Sequence, residues 1–135
     1  MSAVDSDIAQ QLQQGFDTLN RAQLEVAAQA CQTVLAKQPE LAPAHFLVGL
    51  IAIEGEERRV AHEAFKSVVK LDRDHAAAWA QLARLNASEG RIARAESALK
   101  EVRRIQPTDP AVLDLTGTVL NQLGEYPIAK AFFAR

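Results

Sequence analysis

The sequence predicts an all-α fold, a solenoid of antiparallel helix pairs, and three observations carry that prediction. Ala27, Ala61, Ala95 and Ala129 stand 34 residues apart. Gly15, Gly49, Ala83 and Gly117 keep the same interval of 34 in the same register. A third series, Pro39 and Pro107 with Arg73 between them, falls in step with both. Self-similarity at one fixed period marks stacked repeat units, because each unit buries its apolar face only against its neighbours.

The units run 8–41, 42–75, 76–109 and 110–135, the last incomplete, after an acidic leader at 1–7. In each, two helices lie antiparallel, and a small residue at their crossing lets the backbones approach. Gly49 facing Ala61 is the clearest such pair, while Leu82, Leu99 and Val102, one turn away, fill the space around a crossing by 3.6-residue patterning. Helices are expected at 7–20, 23–37, 42–54, 57–70, 76–88, 91–104, 110–122 and 126–135. Gly55, Gly90 and Gly124 sit where the first helix of a unit should stop, since glycine tolerates the left-handed conformation of a helix end. Asp109 before Pro110 reads as an N-cap followed by the first helical residue.

Within this register the third unit carries Trp79, Leu82 and Ala83, then Ala95, Leu99 and Pro107. The second has Val48, Gly49, Ala61 and Phe65, with His45 in place of the aromatic and Arg73 in place of the proline. The first keeps Gly15, Ala27 and Pro39, and the fourth keeps Gly117, Ala129 and Phe133. The pattern W-x2-L-G-x2-Y, then A-x3-F, then P, belongs to the tetratricopeptide repeat, which the chain resembles over almost its whole length. The stretch Pro39 to Ile53 also resembles repeat regions that precede bacterial sulfotransferase-type and glycosyltransferase-type domains.

The family resemblance implies a right-handed superhelical solenoid whose concave groove is lined by the first helix of each unit. Unit positions 5, 9 and 12 would face a ligand there. They are Leu12, Phe46, Ala80 and Asp114; Phe16, Leu50, Arg84 and Thr118; and Leu19, Ile53, Ala87 and Asn121. The candidate ligand-binding groove is therefore Phe46, Leu50, Ile53, Arg84, Leu12, Phe16 and Leu19. Phe46, Leu50 and Ile53 form a stripe distinct from Val48, Gly49 and Ala52, which supply the packing face. For the first unit two readings stay open: Leu12, Phe16 and Leu19 face the groove, or a rotated helix buries them in its own core. The lysine and asparagine set with which some members of this family hold a peptide carboxylate is missing here.

Composition raises no objection. The 135 residues are 48% hydrophobic and 24% charged with a net charge of −2, the balance of one globular domain. The longest apolar stretch, Leu41 to Ile53, contains Pro43, His45 and Gly49 and falls short of the ~18 residues of a membrane span. The leader lacks the basic and then apolar layout of a signal peptide. With Cys31 as its one cysteine, the chain forms no internal disulfide, and a cytoplasmic location is the expectation. Because the sequence stops within the last helix, leaving Ile128, Phe132 and Phe133 near the terminus, it is expected to be the N-terminal part of a longer protein. The alternative is a natural terminus covered by dimerisation.

Little in the sequence points to chemistry. His45, His62 and His75 occupy different repeat positions and show no H-x3-H spacing, so no metal site is expected. His45 reads as a partly buried structural residue, and His62 and His75 as surface or cap residues. Cys31 stands at the consensus phenylalanine position and reads as a small buried thiol without a recognisable base. No catalytic residue, metal or cofactor is assigned. Arg84, Arg91, Arg94, Lys100, Arg103 and Arg104 are interleaved with acids and lack stacking aromatics, which argues against nucleic acid as partner. Two function classes follow. One is a non-catalytic interaction or scaffold module holding a peptide or partner helix, or a second copy through the groove or last helix. The other is a structural arm of a larger bacterial transferase.

Overall fold

The computed structural model describes residues 8, 10, 11 and 24–124, and among them every regular element is helical. The expected helices at 7–20 and 126–135, and with them Leu12, Phe16 and Leu19, lie outside these residues, apart from residues 8, 10 and 11, which are helical. The chain divides into two compact units between Arg73 and Asp74.

The first unit contains α1 (Leu24–Lys37), α2 (Ala42–Glu54) and α3 (Arg58–Leu71). The outer two are amphipathic. Helix α1 buries Ala27, Cys31 and Val34, and α3 buries Ala61, His62, Ala64, Phe65 and Val68. By contrast, α2 reads APAHFLVGLIAIE, apolar all round and uncharged until Glu54. A helix of that kind needs cover on more than one side, and α2 packs against both α1 and α3. Its buried residues are Ala44, Leu47, Gly49 and Ala52. Leu47 was not anticipated, whereas Val48, expected to pack, is only half-buried. At the other end of the core Ile8 joins Val34 and Ala44, flanked by Leu35 and Leu41.

The side chain nearest to Gly49 is Phe65, one turn beyond the Ala61 expected from the sequence. A Cβ built on Gly49 would lie 2.5 Å from both Cε1 and Cζ of the Phe65 ring. Phe65 is completely buried, and its other neighbour is the Phe46 ring, centroid to centroid 5.5 Å away with the planes at 58°. Ala61, also completely buried, sits one turn earlier on α3. The ring thus occupies the volume that any side chain at position 49 would need.

The turn after α2 also departs from expectation. Gly55 has φ −85°, and the left-handed residue is Glu56 at φ 59°. The Glu57 N–H donates to Ala52 O at 2.8 Å and the Glu56 N–H to Ile53 O at 3.1 Å. That is the Schellman pattern, with Glu56 at the position that favours glycine. The second unit repeats the pattern with glycine in place: Gly90, 34 residues later, has φ 76°, and the Arg91 N–H donates to Asn86 O at 2.8 Å.

The second unit holds α4 (Ala76–Ser88), α5 (Ile92–Ile105) and α6 (Pro110–Leu123). Helix α4 packs against both others. Ala76, Ala80, Val102 and Val112 form a core cluster flanked by Trp79, Ile105 and Leu115. Both first helices here are capped by side chains. His75 Nδ1 accepts from the Ala78 N–H at 3.1 Å, and Asp109 Oδ1 accepts from the Ala111 N–H at 2.9 Å with Pro110 behind it. Arg104 donates through Nε to Glu101 (2.6 Å) and through Nη1 to Asp74 (2.8 Å), tying the end of α5 to the approach to α4. Arg104 and Asp74 are exposed and Glu101 is partly covered, so the pairs contribute modestly.

The turn geometry yields a directional test. A non-glycine residue in the left-handed region costs roughly 1–2 kcal/mol, part of which glycine gives back through greater freedom in the unfolded chain. Glu56→Gly is therefore expected to raise stability by up to about 1 kcal/mol in a denaturation experiment. Gly55→Ala should be neutral or mildly stabilising, since its Cβ meets nothing closer than Ile51 O at 3.6 Å. Destabilisation by both changes would show that the left-handed position is Gly55.

Candidate interaction site

Of the groove residues expected from the sequence, Phe46, Leu50 and Ile53 lie on α2 and are all half-buried. Phe46 has a second role, because its ring packs on Phe65. Arg84 lies on α4 in the register of Leu50 and is also half-buried. Elsewhere in the second unit the corresponding positions divide by size and polarity: Ala80 and Ala87 are buried, while Asp114, Thr118 and Asn121 on α6 are exposed. Thr118 directs its hydroxyl to the Asp114 carbonyl at 3.0 Å.

A second feature of the first unit lies apart from the groove residues expected from the sequence. Between α1 and α2, reaching the start of α3, runs a cleft of about 430 Å³ lined mainly by Leu24, Ala28, Leu35, Val48, Ile51 and Val60. Cys31 closes its floor and is almost inaccessible. Burial pushes the Cys31 thiol up from 9.0 to about 11, so it is protonated at neutral pH and is a poor nucleophile. The signal for the cleft was present in the register: cysteine stands where the other units carry phenylalanine or leucine.

The histidines have structural surroundings. His45 Nε2 lies 2.8 Å from the Pro39 carbonyl, bracing the turn before α2, and His75 caps α4. His62, expected at the surface, is buried on α3 beside Ala61. Position 62 lies next to the Ala61 and Phe65 face of the helix, which a surface reading of an isolated histidine overlooked. Among the described residues no group of three or more His, Cys, Asp or Glu could hold a metal ion. None of the described helices is long and apolar enough to cross a membrane.

Residues 52–118, from the last turn of α2 into α6, match the family model of the tetratricopeptide repeat. The chain belongs to the tetratricopeptide repeat family. No curated protein matches the sequence. Tetratricopeptide repeats generally serve protein–protein interaction and scaffolding and are typically non-catalytic. The match does not extend to sulfotransferase-type or glycosyltransferase-type proteins.

The buried thiol of this tetratricopeptide repeat chain predicts a pH dependence. A folded-state value raised above the unfolded one leaves stability unchanged below about pH 9, and stability is lost as pH rises towards 11, because the unfolded chain releases the proton first. Wild-type protein should lose more stability between pH 8.5 and about 10.5 than Cys31→Ala, with the two curves parallel below that window. Parallel curves throughout would show that the thiol titrates alike in both states.

Proposed function

We propose that this chain is a non-catalytic interaction or scaffold module that holds a peptide or partner helix against α2 through Phe46, Leu50 and Ile53. The observation that carries this reading is that α2 already has two packed sides and still leaves an apolar stripe half-exposed. Its buried residues are Ala44, Leu47, Gly49 and Ala52, and none of them belongs to the stripe. Apolar surface left uncovered beside a completed core normally marks a contact site, and an amphipathic helix laid along such a stripe is a recurrent way of using it.

The packing of Phe46 on Phe65 decides how to test this. Serine at position 46 would remove an aromatic contact of the core, whereas Leu50 and Ile53 lie outside that ring pair and are half-buried. Peptides selected from a random library against the wild-type chain should bind at least about tenfold more weakly to the Leu50→Ser, Ile53→Ser protein, a loss of about 1.4 kcal/mol or more. The double variant should stay folded and helical, with a lowered melting temperature because both side chains are half-buried. Unchanged peptide affinity in a folded double variant would place the contact elsewhere.

A further inference from the structure

The cleft between α1 and α2 has a chemistry separate from the Phe46, Leu50 and Ile53 stripe. Its lining on α2 is Val48, Ile51 and Ala52, on the opposite side of the register from that stripe. The repeat explains why space exists here. At the position of Cys31 the later units carry Phe65, Leu99 and Phe133, so the first unit lacks a large side chain at the floor. The comparable cleft between α5 and α6 is smaller, about 300 Å³. In it Leu99 stands for Cys31, Arg103 for Leu35, Thr116 for Val48 and Leu120 for Ala52. The first cleft is therefore the roomier of the two, with aliphatic residues where its counterpart two registers on has Arg103 and Thr116. Its volume also falls within the range of about 300–1,000 Å³ typical of ligand sites.

Charge distinguishes one class of occupant. Glu25, in the first turn of α1, and Glu57, just before α3, stand exposed on the rim. Among the described residues that line the cleft none is basic. Glu57 occupies the N-cap position of α3, yet its side chain makes no capping hydrogen bond, so its carboxylate is not consumed by the helix. Both acids lie at the end of the cleft where α1 begins and α2 ends, and the remainder is aliphatic. Val60 on the same rim is 44% exposed. An apolar body with a positive charge at one end matches this distribution.

We propose that this cleft docks an apolar peptide segment that places a lysine or arginine against Glu25 and Glu57. The segment's aliphatic side chains enter above Cys31, and its cation stays at the wet rim, where carboxylates steer and orient more than they bind.

The test uses the full chain and a fluorescein-labelled twelve-residue amphipathic leucine–lysine peptide, read by fluorescence anisotropy. Binding is expected for this peptide, with at least a tenfold loss when its lysines are replaced by glutamate. Cys31→Leu, which restores the residue found at the Leu99 position, should fill the floor and weaken binding about tenfold without lowering the melting temperature. The exposed pair Glu25→Gln, Glu57→Gln leaves the core untouched and should weaken binding at least fivefold and flatten its salt dependence. Leu50→Ser with Ile53→Ser should leave the affinity as it is, so this site stands or falls apart from the α2 stripe. Failure of the lysine peptide to bind, equal binding of the glutamate peptide, or indifference to the Glu25 and Glu57 changes would overturn the proposal. So would a loss of affinity caused by the Leu50 and Ile53 changes alone.

Discussion

Helices α2 and α3 can approach as they do because one residue has no side chain and the residue opposite has a large flat one. The Phe65 ring fills the place of a Cβ at Gly49, and Phe46 closes the ring from the side. Interiors are packed to crystal-like density, so this contact fixes both the separation of the two helices and the rotation of α2 about its axis. That rotation turns Leu47 and Ala52 into the core and leaves Phe46, Leu50 and Ile53 half-covered. The chain repeats the complementarity with altered sizes. Thirty-four residues on, alanine replaces glycine at position 83 and leucine replaces phenylalanine at position 99, so a larger residue on one helix accompanies a smaller one on the other.

The same logic explains the two surfaces of the first unit. Among the described residues helix α2, apolar around its whole circumference, packs chiefly against α1 and α3, and the side bearing Phe46, Leu50 and Ile53 stays half-buried. That side bears the stripe proposed to receive a peptide or helix. The cleft on the α1 side arises from the opposite imbalance, a small residue at Cys31 where a large one would complete the packing. Both follow from departures of a few atoms within an otherwise regular tetratricopeptide repeat register, and neither requires a change in backbone. Function in such a scaffold resides in these local departures, since the fold alone does not select a partner.

Much of the architecture was legible before the structure. The helices at 24–37, 42–54, 58–71, 76–88, 92–105 and 110–123 lie within a residue of their expected bounds, because period, glycine stops and the Asp109–Pro110 start agree with one another. What remained hidden has specific causes. The uniform apolarity of α2 gave no moment from which to choose its buried face, so Leu47 was missed and Val48 was assigned to the core. Gly55 drew attention as the helix stop, but the left-handed residue is Glu56, because the hydrogen-bond count from Ala52 places it one residue later. His62, expected at the surface or as a cap, is buried because its place on the helix is beside Ala61 and Phe65. The cleft depends on the absence of atoms at position 31, which hydrophobic patterning does not register.

The complementarity of Gly49 and Phe65 is tested most directly by the stability cycle of Gly49→Ala, Phe65→Leu and the double variant, which reproduces the Ala83 and Leu99 pair of the second unit. In the wild-type background Gly49→Ala should cost about 1–3 kcal/mol through overpacking, partly offset by the roughly 1 kcal/mol that alanine adds to helix propensity. With leucine at position 65 the clash is relieved, and the same change should be neutral or stabilising. A Gly49→Ala effect of equal size and sign in both backgrounds would contradict the packing of the ring in the space above Gly49.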